Sequence, residues 1–406
     1  MKQTSKKSIY PKTKPGCPVS DTYAFWSILI LVGCSFGANY AQFQLSPISL
    51  RLMEMYQIDA SQYSLAFMAV MIPSVLFGLA CGALGDKIGV KKVGTAAMLI
   101  STTGLLIRAI FNSYGSLLIG MILAGFSLAA MNANIGKICG AYYPSEKVGI
   151  ISGIGYLGNG LGMAVGTSTT ALFSSVRTAF WVAAWISVAV SIIWILFMKD
   201  IRAGEAEEKD GAPSFMQSIR IAVRSRAVWL AGAIGCFLCI QNMTASAFLP
   251  QALQSRGMAE TVAGFVTTGL TAGSAAGSLI GPALVRNLPK KLTLIGITVI
   301  VCLSETFMWR LPAVLVILIA FIVGVSLVTA FSLIVSIPVC DPRIGLAYAG
   351  ASNGLITMVQ MVGAIVIPTY VLTPLAGNQF TLLFYLVGIV GILGIVSAVL
   401  LPKDLK

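Results

Sequence analysis

The chain has no histidine, and only 14 of its 406 residues are Asp or Glu. Without imidazole, the commonest proton relay and metal ligand is missing. No Cys and carboxylate set at metal-ligand spacing replaces it, and there is neither a Gly-rich phosphate loop nor a nucleophile with a basic partner. The expectation is therefore a protein that is not an enzyme and carries no cofactor or metal. Charge of either sign is also scarce, at 10% of residues against 57% apolar, with a mean hydropathy of +0.89. A soluble surface cannot be made from that composition, which places the chain in a membrane.

What charge there is leans basic, 27 Lys and Arg for a net +13. These residues stand in short blocks between apolar runs rather than together on one face, so they point to membrane orientation and not to a nucleic-acid partner. The eight cysteines (17, 34, 81, 139, 236, 239, 302 and 340) lie mostly within apolar runs and give no disulfide framework. Cys236 and Cys239 have the spacing of a redox or metal pair, but with apolar surroundings and no His in the chain they read as small packing residues one helical turn apart.

Runs of about 20 apolar residues cross a hydrocarbon layer as helices, since only internal backbone hydrogen bonding is tolerable there. Twelve are present, near 22–46, 61–84, 93–111, 116–140, 148–172, 177–198, 227–250, 261–285, 292–309, 312–338, 346–371 and 378–401. The first 21 residues are polar and basic, and the run after them, about 25 residues, is longer than a signal-peptide core, so it stays as the first span. The fold class is an all-α membrane protein with this division: a tail over 1–21, a six-helix bundle over 22–198, a polar linker over 199–226, a second bundle over 227–401 and a tail over 402–406.

Lys and Arg concentrate in loops that stay cytoplasmic. Lys2, Lys6, Lys7, Lys12, Lys14, Lys87, Lys91, Lys92, Lys147, the linker, Arg286, Lys290, Lys291, Arg343, Lys403 and Lys406 fall on one side of the twelve spans. Both termini are thus expected in the cytoplasm, with the chain in the cell membrane and working as a monomer.

One short stretch ties the halves together. Gly82, Asp86, Lys87, Gly89, Lys91 and Lys92 form a charged turn between the second and third spans, and 199 residues later Gly78, Gly82, Lys87, Lys91 and Lys92 recur as Gly277, Gly281, Arg286, Lys290 and Lys291. Two repeats of six spans joined by a linker form a parallel repeat, a pair of bundles able to rock.

These residues resemble the loop after the second span of the major facilitator superfamily of secondary transporters. With the span count, the linker and the second copy, the resemblance covers essentially the whole chain. The copy has Val285 where the pattern has Asp, so the resemblance implies an asymmetric gating latch made by Gly82, Asp86, Lys87, Gly89, Lys91 and Lys92. Asn132 to Lys137, Tyr142-Tyr143-Pro144 and Gly149 to Gly166 are similar to the fourth and fifth spans of carriers of small anions such as nitrate, cyanate or oxalate. Gly158-Asn159-Gly160-Leu161-Gly162 also resembles the glycine motif of drug antiporters, without its usual proline.

Candidate substrate contacts follow from polar residues that apolar spans seldom carry. Lys137 either snorkels to the headgroups or faces a wet cavity, with Asn134 one turn before it on the same face. Arg108 near the outer end of the third span either anchors to the interface or meets substrate, and Glu305 in the ninth span is a candidate for coupling. Asn39, Gln42, Tyr156, Asn159, Gln241, Asn242, Thr244, Asn353 and Gln360 lie mostly in the middle third of their spans, either joining helices or touching substrate. Lys137 and Arg108 against so few membrane carboxylates favour a small organic or inorganic anion, moved by alternating access in symport or exchange. The alternatives are an efflux carrier for lipophilic or cationic compounds and a non-transporting membrane receptor.

Overall fold

A computed structural model describes Thr13 and residues 19–199, 215–285, 288–341, 344–377 and 379–402. The lysines of the N-terminal tail, linker residues 200–214, Arg286, Arg343, Lys403 and Lys406 lie outside the described residues. Among the described residues every regular element is helical.

The first bundle comprises α1 (Asp21–Phe43), a short α2 (Ser49–Tyr56), α3 (Ala60–Met68), α4 (Ile72–Ile88), α5 (Val90–Ile110), α6 (Tyr114–Tyr142), α7 (Ser145–Thr169) and α8 (Val176–Phe197). A short α9 (Phe215–Arg224) precedes the second bundle: α10 (Arg226–Gln254), α11 (Glu260–Leu284), α12 (Lys290–Phe307), α13 (Ala313–Cys340), α14 (Gly345–Ile367), α15 (Thr373–Ala376) and α16 (Phe380–Val399). With α3–α4 and α14–α15 each counted as one crossing, the described residues make twelve crossings in two bundles of six, so the start of α1 and the end of α16 fall on one face, the chain-end side, and the opposite face is the far face.

Ten of these spans are long and apolar enough to cross a bilayer by length and composition alone. The other two, α7 and α11, are diluted by glycine, serine and threonine because they are packing helices. Gly158, Gly162 and Gly166 of α7 bring its backbone onto the carbonyls of Val32, Phe36 and Tyr40 in α1, and Gly273 and Gly277 of α11 sit against Phe321 and Val325 of α13. A side chain at those positions would collide with backbone, as expected for a small-residue stripe. Gly78 of α4, by contrast, faces open space.

The second and eleventh spans are broken near the far face. Pro73, in the first turn of α4, has no N–H to donate, and a 3-10 turn over Ala69–Met71 separates α3 from α4. Pro368 opens a π-helical turn, Pro368–Leu372, between α14 and α15.

The charged stretch after the second span departs from expectation. Instead of spans stopping at 84 and resuming at 93, α4 runs to Ile88 and α5 begins at Val90, leaving Gly89 alone as the break at φ 99° and ψ 141°. Asp86 and Lys87 are polar, yet a helix end at the headgroup level tolerates them, and the chain turns only where a residue without Cβ permits that backbone.

The core is divided unevenly. On the far side one apolar cluster takes residues from both bundles: Phe67 packs on Phe43 at 5.4 Å between ring centroids, and Tyr63 packs on Phe248 of α10 at 5.6 Å. Towards the chain ends the first bundle has a core of its own around Ile135, Tyr143 and Trp194.

Candidate functional site

Hydrogen bonds between the bundles lie in the far half. Tyr63 Oη donates to the Ala247 carbonyl at 3.2 Å, Ser46 Oγ donates to the Ser246 carbonyl, and Gln254 Nε2 donates to the Pro47 carbonyl at 3.2 Å. Ser61 donates to the Thr369 carbonyl at 2.7 Å and meets the Thr373 hydroxyl at 2.9 Å, while Ser64 meets the Thr369 hydroxyl at 3.2 Å. Breaking the two spans at Met71 and Pro368 is what brings these hydroxyls and carbonyls together. Thr167 and Thr268 pair at 3.1 Å between α7 and α11, and Arg51 forms an ion pair with Glu260. Nearer the chain ends, Gly160 of α7 lies against Ala275 of α11.

Beneath this seam lie some of the expected polar residues. Asn39 Nδ2 donates to Asn159 Oδ1 at 2.9 Å and to the Ser35 carbonyl at 2.9 Å, joining α1 to α7. Asn159 is next to Gly160, which touches the second bundle. Tyr156, one turn nearer the chain ends, is partly exposed and donates to the Asn132 carbonyl at 3.3 Å. Asn242 lies one turn below Ser246 on α10 and is 8% exposed. Asn39, Asn159, Tyr156 and Asn242 are thus uncharged amides and a phenol on α1, α7 and α10, on the chain-end side of the seam residues of those helices.

The other expected residues are elsewhere. Gln42 is buried within the first bundle, with Nε2 donating to the Phe67 carbonyl of α3 at 3.0 Å. Gln241 points into the second bundle against Gly391 of α16. Asn353 and Gln360, seven residues apart on one face of α14, look towards α10, with the Gln360 amide against Gly235.

Both cations differ from expectation. Arg108 neither snorkels nor faces the seam; it is 1% exposed inside the first bundle. Its Nη1 donates to the Ala41 carbonyl at 3.0 Å, Nη2 donates to Gln44 Oε1 at 2.8 Å, and the guanidinium lies 4.2 Å over the Phe180 ring. It therefore joins α1, α5 and α8. Lys137 Nζ donates to the Gly82 carbonyl at 2.6 Å, and Asn134 Nδ2 donates to the Ala130 carbonyl at 2.8 Å and the Cys81 carbonyl at 3.4 Å. The expected common face of Asn134 and Lys137 exists, and it grips the last turns of α4. Within the charged stretch, Lys87 and Lys92 are exposed, the Lys91 carbonyl accepts from Trp194 Nε1 at 3.3 Å, and the Asp86 side chain lies outside what the structure describes.

Sequence reasoning missed the seam: Arg51, Glu260, Ser46, Ser61, Ser64, Tyr63, Thr167, Thr268 and Thr369. Their one shared signal is a hydroxyl or charge at a span end, which most span ends also have. The six described cysteines, Cys236 and Cys239 among them, are free and buried.

Two solved structures share the architecture. A point mutant of the nucleoside transporter NupG superposes with a TM-score of 0.75 at 13% identity, covering 93% of this chain and 100% of that one. A bacterial homologue of the human lysosomal transporter Spinster, in an inward-facing and unoccupied conformation, gives a TM-score of 0.72 at 13% identity over 95% and 96% of the two chains. Identities this low establish the fold alone. No curated protein matches the chain. The Major Facilitator Superfamily profile matches residues 25–368, and the chain belongs to that family of membrane transporters.

Proposed function

We propose that this chain is a secondary active carrier for a small, uncharged polar solute, working as a single chain in the cell membrane by alternating access. The observation that carries the reading is the far-face seam, where inter-bundle hydrogen bonds and the Arg51–Glu260 ion pair tie the two bundles together. Two bundles tied at one edge can rock about it to open the other. With the chain ends in the cytoplasm, as the basic loops imply, this seam closes the outer side.

The solute class follows from what lies beneath the seam. Asn39, Asn159, Tyr156 and Asn242 offer neutral donors and acceptors, which recognise hydroxyls, amides and ring nitrogens by hydrogen bonds. The case for an anion rested on Lys137 and Arg108, and both are bonded inside the first bundle. Uptake into proteoliposomes tests this, using a panel of nucleosides, sugars and neutral amino acids beside nitrate, oxalate and other small anions. Saturable uptake of a neutral member, retained in Lys137→Ala, supports the reading; uptake confined to anions and lost in Lys137→Ala refutes it.

A further inference from the structure

Inside the second bundle, where α10, α12 and α16 pack together, three fully buried side chains have no hydrogen-bond partner. Gln241 and Thr244 on α10 and Glu305 on α12 are each 0% exposed. Both amide atoms of Gln241, the Thr244 hydroxyl and both carboxyl oxygens of Glu305 are unpartnered.

They converge by helix register. A side chain added at Gly391 of α16 would collide with both Gln241 Nε2 and Cys302 Sγ, so Gln241 and the Cys302 face of α12 meet there. Both helices run from that contact towards the far face. Thr244, three residues after Gln241, and Glu305, three residues after Cys302, therefore rise together on the facing stripes.

The titratable groups on elements packed against α12 are Arg226, Cys236 and Cys239 on α10, Tyr385 on α16, Cys340 at the end of α13, and Arg310 just beyond α12. Lys290, Lys291 and Cys302 are on α12 itself. Arg310 lies over the rings of Trp309 and Tyr385, at 5.3 and 5.1 Å. None of these groups has a described hydrogen bond or ion pair with Glu305. A carboxyl in a membrane bundle, facing an amide and a hydroxyl on the next helix, is costly as mere packing, where a leucine would suffice.

We propose that Glu305, faced by Gln241 and Thr244, is a proton-binding site inside the second bundle, separate from the seam. The carboxylate takes one proton from the aqueous phase to become the neutral acid. On returning it, the carboxylate accepts the Thr244 hydroxyl and the Gln241 N–H, drawing α10 against α12. Because α10 also supplies the Ser246 and Ala247 carbonyls to the seam, proton occupancy acts on the gate. This rests on the carrier reading and names the proton as its coupling ion.

Infrared spectroscopy of the purified full chain, titrated from acid to alkaline pH, reads the site without any solute. The expected result is a protonated-carboxyl band that alkali bleaches, that Glu305→Gln removes, and that exchange of sodium for choline leaves unchanged. Identical spectra in wild type and Glu305→Gln overturn the proposal, as does a band that sodium abolishes at fixed pH, which would indicate a metal-cation site. Should Glu305→Gln fail to fold, Thr244→Val and Gln241→Leu serve instead: each is expected to move the midpoint of the band, and unchanged midpoints in both overturn the proposal. In proteoliposomes, collapse of wild-type accumulation by a protonophore, with Glu305→Gln retaining exchange but not accumulation, supports the coupling, and accumulation by Glu305→Gln refutes it. A chain that moves no solute while keeping the band refutes the carrier reading alone.

Discussion

Arg51 and Glu260 meet across the far-face seam: Arg51 Nε lies 3.0 Å from Glu260 Oε1, Nη2 reaches the same oxygen, and Nη1 donates to the Phe173 carbonyl at 3.1 Å. Glu260 is the first residue of α11, where the helix dipole also favours its charge. The side chains are 30% and 27% exposed, so solvent screens the pair and it contributes at most about 1 kcal/mol. Glu260→Gln is therefore expected to shift the balance between seam-closed and seam-open states by up to about fivefold. Spin labels at Met55→Cys and Thr261→Cys, with the native cysteines replaced, measure it as growth of the longer-distance population. An unchanged distribution would remove the ion pair from the gate.

Gly89 is the sole break between α4 and α5, at a positive φ that side chains rarely adopt. Gly89→Ala is expected to cost about 1–3 kcal/mol through backbone strain. Gly78 lies within α4 and faces open space, so Gly78→Ala is expected to be neutral or slightly stabilising. Thermal unfolding in detergent compares the two, and equal losses would contradict the assignment of the turn to Gly89.

Lys137 holds the end of α4 through the Gly82 carbonyl, a charge-assisted bond of about 1.5–3 kcal/mol. Lys137→Ala is accordingly expected to lower thermal stability and turnover while leaving KM within about twofold, since no transported group is bound there. A large rise in KM at unchanged stability would return Lys137 to the substrate site.

The span pattern was legible because most crossing helices carry a long apolar run, and the glycine-diluted α7 and α11 are still free of charge over 151–169 and 261–284. Where α4 ends was not legible: polarity at Asp86 and Lys87 resembles a turn, whereas the backbone actually turns at Gly89. The site was legible as a set of residue types and not as a place. Asn39 and Asn159 pair below the seam while Gln241, one residue before Asn242, points against Gly391 of α16, because neighbours on a helix point about 100° apart. Lys137 and Arg108 are polar in apolar spans, but their acceptors at Gly82, Ala41 and Gln44 lie 55, 67 and 64 residues away. The seam was hidden for the same reason, since Ser61 and Thr373 are 312 positions apart.

The Asn39–Asn159 bond sits beneath the seam, where the carrier reading puts the solute. Asn159→Ala removes one neutral hydrogen-bonding group and is expected to raise KM by up to about tenfold with stability nearly unchanged. Initial uptake rates at varied solute concentration check it, and an unaltered KM would place the solute elsewhere.

The central claim is that the far-face seam must open for every turnover. Ser61 and Thr373 face each other there, with hydroxyl oxygens 2.9 Å apart. The most direct measurement is uptake by Ser61→Cys/Thr373→Cys, on a chain lacking its native cysteines, before and after oxidation. The account predicts that the cross-link stops uptake and that a reductant restores it; uptake at the same rate with the cross-link intact would contradict it.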